Sequence, residues 1–197
     1  MIRWRALTMH YLWRGAAVGL GLAVLSACAG TGVITNESHQ SGYDPSLIGD
    51  VAARGGMALE VKGDPFPTAG QQFAEIAARA LTQSHRGPEF TVFADPAEAP
   101  DGSMRTVVIA NPQAPVTPAN ACTASVSGDP VAGGETLSIT AALCRNDKAV
   151  VKMTGRALDV AGPDDPKVDQ LFRQIGQQLY PRQNEAMQED RDGGVWP

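Results

Sequence analysis

The chain has 197 residues with 16 Lys+Arg, 21 Asp+Glu and three cysteines, for a net charge of −5. Arg3, Arg5 and Arg14 are the only charged residues before position 28, so residues 28–197 keep 13 cations against 21 acids, a net of −8. An acidic stretch of 170 residues suits one domain with tails, and without a basic stripe it argues against nucleic-acid binding and against electrostatic docking on anionic lipid.

Gly15 to Ala27 runs without a charge. It is shorter than the roughly 20 apolar residues of a bilayer-spanning helix and suits the apolar region of a signal sequence. The residues by themselves fit an ordinary signal peptide cut near Ala27 or Ala29, or an uncleaved anchor. The box Leu25-Ser26-Ala27-Cys28 resembles the lipobox of bacterial lipoproteins, in which the Cys becomes the lipidated first residue of the mature chain. The resemblance implies a signal peptide over 1–27, lipidation at Cys28, and attachment to a membrane on the periplasmic side. One acyl chain, at about 0.8 kcal/mol per buried CH₂, anchors only marginally, whereas lipoproteins of this type carry several. Many Gram-negative lipoproteins held at the inner membrane have Asp after the Cys. Ala29 in that position points to the outer membrane.

Residues 28–56 begin rich in Gly, Ser, Thr and Asn, with few apolar side chains, and read as a flexible tether. Leu47, Ile48, Val51 and Ala52 fit a turn of helix docking on the domain that follows. That domain is expected over 57–181. Met57–Lys62 alternates as a half-buried strand, and Gly63–Pro67 turns the chain. Thr68 is placed to cap a helix, with Gln71 completing a capping box. Phe73, Ile76, Ala77, Ala80 and Leu81 give that helix one apolar face, and Gly87-Pro88 stops it.

Glu89–Ala94 reads as a second strand, parallel to the first across a right-handed crossover. A Pro/Gly/acidic loop, 95–103, leads to Arg105–Ala110, a central strand by its three large apolar residues in a row. Asn111–Asn120, with three prolines, reads as a surface loop. Ala121–Ser127 is expected as a fourth strand, followed by a hairpin loop at Gly128-Asp129-Pro130 and Gly133-Gly134. Thr136–Cys144 and Ala149–Leu158, joined by a turn at 145–148, complete an antiparallel meander over 121–158. Asp165 caps a second helix with Pro166 in its first position, and Val168, Leu171, Phe172, Ile175 and Leu179 form its stripe. Pro181 ends it, and 182–197 reads as a disordered tail whose Trp196 is an inert residue or a partner anchor. The fold expected is α+β: a mostly antiparallel sheet of five to six strands with two helices packed on one face. The other face is expected to be partly polar or covered by a partner.

Val61-Lys62-Gly63-Asp64-Pro65-Phe66, the helix after it and the later Leu143-Cys144-Arg145 are similar to a group of small exported Gram-negative proteins. The resemblance spans about 57–180 and brings no catalytic residues. The order of elements is analogous to that of small envelope-assembly lipoproteins, by topology alone.

With Cys28 assigned to lipid, Cys122 and Cys144 remain as an even pair, which in an oxidising periplasm reads as a disulfide. If Ser127 opposes Thr136, however, Cys122 faces Ala141, and the two cysteines fall on opposite faces. A bulge, or Cys144 turning out at Arg145, is needed to reconcile them. His39 lies in the tether, and His85 sits where a cation suits the end of a helix. Asp164 and Asp165 read as a cap before they read as paired carboxylates. Asp95, Glu98 and Asp101 lack the regular spacing of calcium loops. No catalytic residue, metal site or cofactor is assigned. The expectation is a non-enzymatic envelope lipoprotein, a structural or assembly factor binding another envelope protein. The alternative is a binding module for a small ligand, peptidoglycan or a lipid fragment. An open strand edge favours the first, and a closed apolar pocket favours the second.

Overall fold

The computed structural model describes residues 33–39, 43–100, 102–123 and 135–181. Leu137, Ile139, Ala141 and Leu143 alternate along strand β5 (Glu135–Arg145), and all four are buried on one face, as a period of two requires. Five further strands join it: β1 (Val33–His39), β2 (Gly56–Lys62), β3 (Thr91–Phe93), β4 (Met104–Ala110) and β6 (Lys148–Val160). The spatial order is β1-β6-β5-β4-β2-β3. The β1–β6, β6–β5 and β5–β4 pairs are antiparallel, and β4–β2 and β2–β3 are parallel. The α+β class and the largely antiparallel sheet match the sequence expectation. So does the interior place of β4 with its Val107-Val108-Ile109 run.

Among the described residues three helices, one more than expected, bury their apolar stripes in one shared core: α1 (Ser46–Ala53), α2 (Gly70–Ser84) and α3 (Pro166–Leu179). The predicted stripes of α2 and α3 are buried in full. Asp165 caps α3 as expected, its Oδ1 accepting from the Lys167 N–H at 2.9 Å and its Oδ2 from the Ala161 N–H at 3.0 Å. The α2 cap differs from expectation. Ala69, not Thr68, is the N-cap, and Gln71 donates to Glu75 at 3.1 Å. The cause is Phe66, which is buried with its ring 5.6 Å from that of Phe73, while its carbonyl accepts from the Ala69 N–H at 2.7 Å. Seating that aromatic in the core carries the helix start past Thr68.

The expected tether over 28–56 is overturned from Val33 onward. Val33–His39 pairs with β6 from Arg156 to Val151, covering an edge that would otherwise stand open. Tyr43, Leu47, Ile48 and Val51 are all buried, so the docking turn of helix expected at 47–52 is the centre of α1. The Tyr43 hydroxyl donates to the carbonyl of Pro181, tying the start of this segment to the end of α3. The domain therefore begins at least 24 residues before position 57 (57 less 33).

The expected strand over 121–127 is also overturned where it is described. Ala121–Thr123 is a turn, held by Ala121 N–H to the Thr117 carbonyl at 2.9 Å and Thr123 N–H to the Asn120 carbonyl at 3.1 Å. Its apolar residues are buried by lying over the sheet, not by pairing into it. The meander reduces to the β5–β6 hairpin with β4 alongside. Residues 124–134, which hold the rest of that strand and the predicted Gly128–Gly134 loop, lie outside the described residues, as do Cys28, Asp101 and the 182–197 tail with Trp196.

Candidate functional site

Two places gather polar and reactive groups: the sheet face turned away from the helices, and the two edges of the sheet. On the far face, Val107 and Ile109 of β4 and Ala142 and Cys144 of β5 form a second small core, closed over by Ala121, Cys122 and Val116 from the 111–123 segment. Cys122 and Cys144 are joined by a disulfide with a Cα–Cα separation of 5.9 Å. The face conflict of the sequence reading disappears. Cys144 stays on the Thr140/Ala142 side of β5, and Cys122 approaches that side from above. A β5–β6 register shift does fall between Leu143 and Cys144, but the bridge is reached because Cys122 is not in a strand.

Arg105 organises the rim of this second core. Its Nε lies 3.1 Å from Glu60 Oε2 on β2, its Nη1 donates to the Asn146 carbonyl at 2.6 Å, and its Nη2 donates to the Cys122 carbonyl at 2.9 Å. Asp147 Oδ1 adds a longer contact at 3.4 Å. One guanidinium thus links the second strand, the β5–β6 turn and the disulfide segment, using the planar fork that makes arginine suited to several acceptors at once. The sequence places Arg105 in a strand and assigns it no role. An arginine opening a strand that is apolar from Val107 onward is the available signal.

Several grooves between the described elements are open to solvent. One of about 270 Å³ lies between α2 and the start of α3, lined by Gln72, Glu75, Arg79, Asp164 and Asp169. Its polar groups are engaged with one another: Gln72 donates to Asp164, and Asp169 faces both Arg79 at 3.8 Å and Arg173 at 2.6 Å. Asp165, whose carboxyl the Ala161 and Lys167 N–H groups hold below the usual range, is spent on the α3 cap. Asp95 is likewise a cap, accepting from the Ala97 N–H at 2.9 Å. Among the described residues no group of three or more His, Cys, Asp or Glu could hold a metal ion, and no helix is long and apolar enough to cross a membrane.

His85 is half-buried at the C-cap of α2 and serves packing: its ring stacks on Phe90 at 4.0 Å, and its Nε2 lies 3.3 Å from the Phe90 carbonyl. Tyr43 and Tyr180, which no sequence pattern marks, are buried. Burial, with the nearby Asp44 charge, pushes the Tyr43 phenol up to about 12. Burial raises the Tyr180 phenol too, against the small opposing effect of its 2.8 Å hydrogen bond with the Thr106 hydroxyl. Both stay neutral, and their hydroxyls hold core elements together.

The sheet edges differ. At β3 the Val92 N–H is taken by the Thr82 hydroxyl of α2 at 2.9 Å, so a donor on that edge is satisfied within the chain. At the other end, β1 is the terminal strand, pairing with β6 alone among the described residues. His39, expected in a tether, is the last residue of this strand.

No protein-family model matches the chain, and no curated protein matches it. Among the solved structures similar to it are the PelC dodecamer from Paraburkholderia phytofirmans, with a TM-score of 0.42, and a variant of the same dodecamer, with a TM-score of 0.43. Each is 16% identical and covers 78% of this chain and 100% of its own. At those values the likeness carries no argument about function.

Proposed function

We propose that this chain is a lipid-anchored envelope lipoprotein, held at Cys28 and facing the periplasm, with a non-enzymatic structural or assembly role. Its partner is another envelope protein, engaged along the outer edge of β1. The observation that carries this reading is β1 itself: seven residues of terminal strand that start five positions after the lipobox cysteine. An edge strand offers a row of backbone N–H and C=O groups, and adding a partner strand there gives affinity through main-chain hydrogen bonds. The Cys122–Cys144 bridge is compatible with export to an oxidising compartment. Ala29 after the Cys favours the outer membrane by the same resemblance.

The anchor is tested by Cys28→Ser, which is expected to release the protein to the soluble periplasmic fraction or to leave it unprocessed. A mature, membrane-bound variant would sink the anchor. The partner is tested by a photo-crosslinking residue at Glu37 in β1, compared in intact cells with one at exposed Arg86. A discrete adduct from position 37 and none from position 86 is expected. No adduct at either, or the same adduct from both, would remove the edge as the docking site.

A further inference from the structure

We infer that the end of the sheet carrying Val33, Arg156 and Leu158 lies against the lipid bilayer, with Leu158 seated in its interfacial layer. The inference rests on the lipid-anchor reading of Cys28. Val33 is five residues from Cys28, and a fully extended chain spans at most about 3.6 Å per residue, so Val33 stays within about 18 Å of the lipidated residue. A domain of about 150 residues has a radius of gyration of about 15 Å and is about 40 Å across. The link is less than half that width, so the domain cannot stand off the membrane or turn freely above it. The face next to the start of β1 is kept at the surface.

The topology says which face that is. β1 runs antiparallel to β6, with Val33 opposite Arg156. Going back from Val33 toward Cys28 follows the direction in which β6 runs on past Arg156, so Leu158, two residues further and about 7 Å on, lies on the anchor side of the sheet. Leu158 is 56% exposed and is the one exposed large apolar side chain among the described residues. A single exposed leucine is ordinary on a protein surface. Here it occupies the end of the sheet that the anchor holds at the bilayer, and the surrounding backbone is fixed: Lys167 Nζ donates to the Leu158 carbonyl at 3.0 Å and to the Asp159 carbonyl at 2.6 Å. Arg156 and Lys167 share this end with Glu135 and Asp159, so the patch is mixed in charge. Attraction to anionic lipid is therefore not its basis. A leucine on a rigid strand end adds apolar insertion to acyl chains already in the bilayer.

The test uses the full-length lipidated protein in phosphatidylethanolamine–phosphatidylglycerol vesicles. Leu158→Cys is labelled with an environment-sensitive fluorophore, and Lys148→Cys, exposed at the opposite end of β6, is the control. The lipidated Cys28 and the bridged Cys122 and Cys144 leave the new thiol as the labelling site. With a quencher carried near the lipid headgroups, the probe at 158 is expected to lose most of its fluorescence and the probe at 148 little. Equal quenching at both positions, or none, in protein that floats with the vesicles would overturn the orientation and leave the anchor standing. Protein that does not float would overturn the anchor, and this inference with it.

Discussion

Cutting the Cys122–Cys144 bridge should destabilise the domain by an amount that the chain length sets. The cysteines are 22 residues apart, and in the chain-entropy model a closed loop of that size contributes about 3 kcal/mol. Domains of this kind have total stabilities of about 5–15 kcal/mol. At about 2–4 °C per kcal/mol for a chain of this size, the melting temperature should fall by about 6–12 °C. Both cysteines are buried, so reductant must be given to unfolded protein, and the oxidised sample needs the same unfolding and refolding without it. Cys122→Ala, Cys144→Ala and the double variant should each cost at least as much as reduction, the excess being the buried sulfur removed. The double variant should cost little more than either single one. Arg105 holds the same segment through the Cys122 carbonyl, so Arg105→Ala should cost more in reduced than in oxidised protein. A melting temperature unchanged by reduction would refute the reasoning, as would two reactive thiols on denatured, unreduced protein.

Gly56→Ala should cost about 2–3 kcal/mol and loosen β3, because a Cβ there would lie 2.1 Å from the Thr91 carbonyl oxygen and 2.8 Å from the Phe93 ring, at a φ of +155°. Hydrogen exchange at Val92 and Phe93 should rise; unchanged protection would contradict the close approach. Alkaline stability should fall between pH 10 and 12. The Tyr43 phenol is raised from 10.0 to about 12, so its contribution is whole below pH 10 and is lost as the unfolded chain ionises first. Tyr43→Phe should cost about 1 kcal/mol at neutral pH through its bond to the Pro181 carbonyl and should flatten part of that alkaline loss in denaturant titrations.

The readable parts of the chain were those where one local pattern decides the outcome. The stripes of α2 and α3 follow from 3.6-residue spacing, and the Asp165-Pro166 start of α3 follows from cap chemistry. Central β4 follows from its run of three large apolar residues, and the β5–β6 hairpin from apolar alternation around a polar turn. What failed needed long-range information. β1 has only a short apolar start, Val33-Ile34, and its strand conformation comes from the exposed edge of β6, more than 100 residues away (33 against 151–156). Thr68 carries a sound capping signal, yet the burial of Phe66 overrides it. Ala121–Thr123 has the composition of a strand, but its apolar residues serve as a lid on the far face. The disulfide was legible from cysteine count alone, whereas its geometry was not, because parity arguments hold only for residues inside strands. Arg105 was legible as an unusual residue and not as a hub, since each of its acceptors lies 17 or more positions away.

The sharpest consequence of these differences concerns where the folding unit starts. Read from sequence, a fragment of 57–181 should be a stable core. In the structure that fragment lacks four side chains buried to at least 92%: Tyr43 at 1% exposure, Leu47 at 8%, Ile48 at 5% and Val51 at 3%. Burying such residues is worth about 1.5–3 kcal/mol each, so together about 6–12 kcal/mol before the entropy of ordering the segment is subtracted. Cutting at 57 also uncovers the core beneath α1 and, by removing β1, leaves the outer edge of β6 unpaired. Against a total of about 5–15 kcal/mol, the 57–181 fragment should fail to melt cooperatively, while a fragment of 33–181 should unfold like the whole chain. A third fragment, 43–181, keeps α1 and loses only β1. It should stay folded at reduced stability and associate more readily through the bared β6 edge. Calorimetry on the three fragments separates the contributions of strand and helix. A cooperative transition in 57–181 within a few degrees of the full chain would show that residues 33–56 rest on the domain without supporting it.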